Sequence, residues 1–182
     1  MCFINYFFFY FQFNCSLIYY IITKMIHWIF DLDDTLYKMK GNTFDINNIE
    51  RYPKLQDLLK LLPGNRLVFT NASHSHSMNM ICNLNLFGCF SAILSRDILM
   101  GIKPNSNTYF KLIHICNIKP NDKVIFFEDT PINLLTAKQY GWTTVLITRE
   151  NDPDKDEYIK LPFIDRCYPD IITSIKDIIN IS

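Results

Sequence analysis

The chain has 182 residues, 49% hydrophobic and 20% charged, with 18 basic side chains set against 18 acidic ones. That length suits one domain of ordinary size, and the even charge gives no basic field of the kind a general nucleic-acid binder carries. With 5 Gly and 8 Pro the chain is neither collagen-like nor of low complexity, and its apolar content excludes global disorder.

Residues 1–23 carry no charged side chain and are crowded with aromatics, as in Phe7-Phe8-Phe9-Tyr10-Phe11. The run is long enough for a bilayer span, which needs roughly 20 apolar residues. Asn5, Gln12, Asn14 and Ser16 interrupt it, however, and it lacks the basic start and small-residue cleavage site of a secretory signal. Two readings stand. The segment is an N-terminal anchor, with Lys24 and later basic residues favouring a cytoplasmic domain, or translation begins at Met25, directly before a strand. The chain divides into a hydrophobic segment, 1–24, and a domain, 25–182, expected in the cytoplasm. Six cysteines without C-x-x-C spacing read as reduced core thiols.

From Met25 onward, apolar runs alternate with helical segments. A strand at Ile26–Phe30 is followed by a helix at Lys54–Leu62, a strand at Leu67–Phe69 and a helix at Ser75–Leu86. Next come a strand at Ala92–Leu94, a helix at Ser106–Cys116, a strand at Val124–Phe127 and a helix at Pro131–Tyr140. A strand at Thr144–Ile147 and an amphipathic helix at Ile171–Ile179 complete the series. Gly88 and Gly141 fall where helices should stop, and Pro131 suits a first helical position. The acidic stretch Glu150–Glu157 reads as a solvated loop. Wholly apolar strands separated by helices predict an α/β fold, a Rossmann-like parallel sheet with helices on both faces. His74 and His76, flanking Ser75, read as helix-start or surface residues rather than metal ligands.

Open parallel sheets bind ligands beyond the carboxyl ends of their strands. Asp31-Leu32-Asp33-Asp34-Thr35 follow the first strand, Thr70-Asn71 the second and Glu128-Asp129-Thr130 the fourth. Asp31, Asp33, Glu128 and Asp129 gathered at one edge would repel one another unless some are protonated or a cation sits among them. Hard carboxylate oxygens without His or Cys nearby select Mg²⁺, which commonly recruits phosphate as a further ligand. Thr70 and Asn71 can donate hydrogen bonds to phosphoryl oxygens. Lys103 precedes a helix start, where a cation is misplaced unless an anion is near; a phosphoryl oxygen would resolve the conflict.

These pieces resemble the haloacid dehalogenase-like (HAD) hydrolase superfamily. Asp31–Thr35 looks like its first motif, Thr70 its second, Lys103 its third and Glu128-Asp129 its fourth. The flanking text Phe69-Thr70-Asn71-Ala72, Lys103-Pro104 and Glu128-Asp129-Thr130 with Asn133 resembles the pyrimidine 5′-nucleotidase-like subgroup. The resemblance implies a nucleophile at Asp31, forming an aspartyl-phosphate, and a general acid and base at Asp33. It implies Mg²⁺ held by Asp31, the Asp33 backbone carbonyl and Asp129, with Glu128 acting through water. Thr70, Asn71 and Lys103 would bind phosphoryl oxygens, while Asn133 steadies the metal's surroundings. A carboxylic acid at Asp33 matches the family's phosphatases and phosphomutases; its dehalogenases and P-type ATPases carry other residues there.

One departure is evident. Capped relatives carry several dozen extra residues between the first two motifs, whereas Leu36 to Phe69 is 34 residues, much of it claimed by a helix and a strand. Roughly Lys38 to Tyr52 remains, enough for a small hairpin flap, so the chain reads as having no sizeable cap. The implied substrate is a phosphomonoester, either a small molecule or a macromolecular end. A second copy of the chain could supply the missing wall. Alternatives are a phosphomutase-like phosphotransferase and a non-catalytic or membrane-tethered binding module.

Overall fold

In the computed structural model, which describes residues 24–39, 49–148 and 152–180, β1 (Ile26–Phe30) lies in the middle of a sheet. Burial on both faces is why its sequence is apolar apart from His27, which is buried with its Nε2 3.1 Å from Asp122 Oδ2. Parallel neighbours flank it, β4 (Asn65–Phe69) on one side and β6 (Lys123–Glu128) on the other. Outward from these lie β5 (Ala92–Leu94), β7 (Thr143–Ile147) and β8 (Arg166–Tyr168). The six-stranded order is β5-β4-β1-β6-β7-β8, every pair parallel. The segment 1–23, with its two readings, lies outside the described residues.

Helices cover both faces, as expected. On one face α1 (Leu55–Leu61), α2 (His74–Asn83) and α7 (Ile171–Ile178) bring Leu59, Ile81 and Ile175 against Phe30, Val68 and Phe127. The Phe30 and Phe127 rings stack there at 4.8 Å. On the other face α3 (Arg96–Leu99), α4 (Ser106–Ile115) and α5 (Pro131–Gln139) bring Leu99, Tyr109 and Leu134 against Ile29, Phe69 and Phe126. Trp142 closes that face with its edge toward Phe126.

Between Thr35 and Thr70 the described residues form β2 (Lys38–Met39), β3 (Ile49–Glu50), α1 and β4. β2 and β3 pair antiparallel, Met39 opposite Ile49. Among the described residues this interval holds no helix besides α1.

Punctuation differs from expectation at one glycine. α2 ends at Asn83, and Asn85 takes the left-handed conformation at φ 58°. There Leu86 N–H donates to Ile81 O at 2.9 Å and Asn85 N–H to Cys82 O at 3.0 Å. Asn tolerates this conformation at a helix C-terminus, so Gly88 is not the stop. Gly141 is one, with Trp142 N–H donating back to Ala137 O at 3.2 Å. Within the acidic stretch read as a loop, α6 (Lys155–Tyr158) makes a single helical turn after Asp154, with Asp156 and Glu157 at its positive end. No helix among the described residues is long and apolar enough to cross a membrane.

Candidate active site

Register carries the polar residues to one level. Phe30 lies opposite Val68 in β4 and Phe127 in β6, so Asp31, Thr70 and Glu128 emerge together at the carboxyl edge. Asp31 N–H extends the ladder by donating to Phe127 O at 2.8 Å, and Thr70 N–H donates to Leu94 O at 3.1 Å. The chain runs from β1 outward to β4 and β5, then crosses back to β6 on the far side. The edge above β1 is therefore the reversal point of the strand order, where ligands bind in open parallel sheets.

Lys103 arrives from the segment between α3 and α4. Its Nζ donates to Asp31 Oδ1 at 2.5 Å, Glu128 Oε2 at 2.5 Å and Phe69 O at 2.9 Å, so all three N–H bonds have acceptors. The side chain is only 1% exposed, with Nζ 5.0 Å from the Phe69 ring centre. The anions that reconcile a lysine with this position are thus the protein's own carboxylates. Burial alone would lower the ammonium's pKa, but Asp31 and Glu128 outweigh it and raise the value above the ordinary one.

Asn71 holds Lys103 from the main-chain side. Its Oδ1 accepts from Lys103 N–H at 2.7 Å and its Nδ2 donates to Lys103 O at 3.1 Å. The amide positions the lysine, and one Nδ2 hydrogen remains beyond that clamp. Thr70 is buried, and its Oγ1 accepts from Ala72 N–H at 3.0 Å, which keeps the hydroxyl hydrogen for another acceptor. Asn133 is buried at the start of α5, where its carbonyl accepts the Tyr109 hydroxyl at 2.7 Å.

Asp31, Glu128 and Asp129 each place a carboxylate oxygen within 4.8 Å of the others. Three carboxylates against one ammonium leave an excess of negative charge in a poorly hydrated place. Burial first, and then the Glu128 carboxylate, push the Asp31 carboxyl up to about 7, against the pull of Lys103. Burial, Glu128 and Asp31 push Asp129 up to about 9. A hard divalent cation would remove the same excess with its natural oxygen ligands, so the residues fit such an ion. Glu128 also accepts Thr130 N–H on Oε1 at 3.1 Å, which engages both of its oxygens.

Asp33 stands apart from this cluster, with its side chain 40% exposed. Its Oδ1 accepts the Tyr37 hydroxyl and lies 2.9 Å from His76 Nε2. The loop can turn this way because Asp34 adopts a left-handed φ of 57° and its Oδ1 accepts Met39 N–H at 3.0 Å. Sequence reading finds neither partner of Asp33. Tyr37 carries no assigned role in the sequence, and His76 reads as a helix-start or surface residue; it lies in the first turn of α2. The available signal was Ser73, whose hydroxyl caps α2 at His76 N–H and so fixes where that histidine sits.

The fold is an open parallel α/β sheet with carboxylates and a buried lysine gathered at its carboxyl edge, and comparison with known proteins identifies its family. The family of haloacid dehalogenase-like hydrolases matches residues 19–147. The chain belongs to that family. A curated relative, an (S)-2-haloacid dehalogenase of Xanthobacter autotrophicus, is 24% identical over 104 residues, which is 57% of this chain and 41% of the relative. The chain thus matches about two fifths of that protein's length. Among solved structures, the L-2-haloacid dehalogenase of Xanthobacter autotrophicus is similar at a TM-score of 0.66 and 14% identity, over 87% of this chain and all of that one. A HAD phosphatase from Thermococcus onnurineus is similar at a TM-score of 0.66 and 14% identity, over 86% of this chain and 98% of that one. At such identities the likeness is one of fold.

Proposed function

We propose that the chain is a Mg²⁺-dependent phosphomonoester hydrolase, nucleotidase-like in its motifs, that works through an aspartyl-phosphate on Asp31. The observation that carries this is Asp33. A carboxyl group two residues beyond Asp31, half-exposed and with one oxygen engaged by two partners, supports a role in handing a proton to a departing alkoxide.

In this reading Asp31 Oδ attacks phosphorus, the ester P–O bond breaks, and Asp33 protonates the alcohol that leaves. Water then attacks the same phosphorus while Asp33 takes its proton, and the P–O bond to Asp31 breaks to give inorganic phosphate. Lys103, the Thr70 hydroxyl and the remaining Asn71 hydrogen face the phosphoryl oxygens. Lys103 must exchange one of its three present acceptors to do so. Asp31, Asp129 and the Asp33 carbonyl would hold Mg²⁺, with Glu128 behind water because both its oxygens are engaged. The ion supplies charge neutralisation between an anionic nucleophile and an anionic substrate.

Dehalogenation of a 2-haloacid is the second reading, favoured by the similarity to the Xanthobacter dehalogenase. There Asp31 would attack carbon, and a halide, which needs no proton, would leave. Incubating the chain with p-nitrophenyl phosphate and with L-2-chloropropionate, each with and without EDTA, separates the two. Steady-state phosphate release that needs Mg²⁺, stops in Asp31→Asn and falls ~10²–10⁴-fold in Asp33→Asn, which loses the base of the second step, is expected. Chloride release without phosphate release overturns the proposal, and full phosphatase activity in excess EDTA removes the metal from it.

A further inference from the structure

We infer that His76 is a positioning residue for Asp33, which together with Tyr37 holds Oδ1 so that Oδ2 is the oxygen that exchanges the proton. This deepens the phosphatase reading and rests on it. Asp33 sits in a loop with its side chain 40% exposed, so packing alone does not fix its two side-chain torsions. Two bonds from different elements do. The Tyr37 hydroxyl reaches Oδ1 from four residues along the same loop, and His76 Nε2 reaches it from α2 at 2.9 Å.

Both partners are themselves anchored. Tyr37 is fully buried, and burial and the neighbouring carboxylates keep its hydroxyl protonated and donating. His76 is fixed by its backbone, whose N–H donates to Ser73 Oγ at 3.2 Å, while buried Ser77 next to it donates to Ser73 O at 2.8 Å. An ionised carboxylate only accepts, so the histidine carries its hydrogen on Nε2 in this contact.

The consequence is a division of labour between the oxygens. When Asp33 is ionised, Oδ1 accepts two hydrogen bonds. When Asp33 is the acid, the same two bonds persist only if the proton is on Oδ2 and Oδ1 remains the carbonyl oxygen. Both protonation states therefore share one geometry, and the proton stays on the oxygen turned toward the departing group. An exposed histidine–carboxylate contact taken merely as a surface ion pair contributes little to stability; its effect here falls on orientation, where small displacements weigh heavily.

The test compares an ester whose leaving group needs no proton, p-nitrophenyl phosphate, with one whose leaving group does, an alkyl phosphate such as β-glycerophosphate. The ratio kcat/KM is read because it covers steps only up to ester cleavage, where Asp33 acts as acid. In the full chain, His76→Ala is expected to lower kcat/KM for the alkyl ester ~10–10²-fold and for the nitrophenyl ester less than about 3-fold. His76→Gln, which keeps a donor near the same place, recovers most of the loss. Tyr37→Phe shifts the ratio in the same direction. Parallel losses on both esters, or no loss on either, in variants that keep the wild-type circular dichroism, overturn the inference while leaving the phosphatase reading intact. A wild-type chain inert on both esters overturns the phosphatase reading and the inference with it.

Discussion

Lys103 is where the site's electrostatics concentrate. Its ammonium lies between two buried carboxylates, and its loss leaves Asp31 and Glu128 facing each other without a counter-charge. Breaking a buried pair in this way typically costs about 3–5 kcal/mol. Lys103→Met is therefore expected to lower the unfolding free energy by that order at pH 8.5 and by less at pH 5.5, where Asp31 can take up a proton. The metal-free wild type has its own pH dependence. Asp31 at about 7 and Asp129 at about 9 both titrate above the ordinary carboxylate value of 3.8. The native state then holds more protons than the unfolded state from about pH 4 to about pH 9, so the stability this pair contributes falls as pH rises through that window. A cation needs the deprotonated carboxylates, so Mg²⁺ affinity rises across the same window and binding releases protons. Denaturant titrations at pH 5.5 and 8.5, in EDTA and in millimolar Mg²⁺, check both statements. A stabilisation by Mg²⁺ that is equal at the two pH values would contradict them.

Among the elements, the β1–β4 connection depends on one glycine. Gly64 has φ +85°, and a Cβ there would lie 2.3 Å from the Ile26 carbonyl oxygen, a backbone atom that cannot swing aside. Gly64→Ala is expected to cost at least about 2 kcal/mol, combining left-handed strain with that clash, or a fall in Tm of roughly 4–8 °C for a domain of this size. The position is at the amino end of β1, at the opposite end of the strand from Asp31, so kcat near 20 °C should hold. A thermal melt paired with an activity assay decides it. The same element shows what a sequence reveals. Ala92–Leu94 was legible to the residue because Ser91 and Ser95 bound the apolar run, and the end of Ile26–Phe30 because Asp31 follows it. β4 begins two residues before the expected Leu67, because Arg66 satisfies its guanidinium inside the fold on Leu62 O and Cys89 O, both at 2.7 Å. β8 was not legible: three residues with an exposed Arg166 at the sheet edge give no apolar run. The carboxylates of the site were readable because each follows a strand. Asp33's partners were not, since a left-handed turn at Asp34 and the packing of α2 bring them in.

At the scale of the molecule, the proposed reading gives the site two ends, one for the phosphoryl group and one for the leaving group. At the phosphoryl end of that reading, Asp31 is 6% exposed, Lys103 3% and Glu128 1%. The leaving-group end has Asp33 and His76, whose side chains are 40% and 29% exposed. Among the described residues from Leu36 to Phe69 the elements are β2, β3, α1 and β4, and they include no helix besides α1 to stand over a leaving group. Small esters then gain binding energy chiefly through the phosphoryl group they all share. Interactions common to every substrate cannot discriminate among them, and discrimination needs contacts made by one leaving group and denied to another. Without such contacts, differences of a methylene or a hydroxyl are worth only about 1–3 kcal/mol even in a formed pocket. The isolated chain is therefore expected to hydrolyse nucleoside monophosphates and sugar phosphates with high KM and a spread in kcat/KM below roughly 10³-fold. Bulky phosphomonoesters should be accepted as readily as small ones, because the described residues hold no helical cap over that end to exclude them. Steady-state kinetics over a panel of nucleotides, sugar phosphates and a phosphorylated peptide measures the spread. One small substrate preferred above that limit by a monomer would mean that the leaving-group end is enclosed, and the reading without a cap would fall.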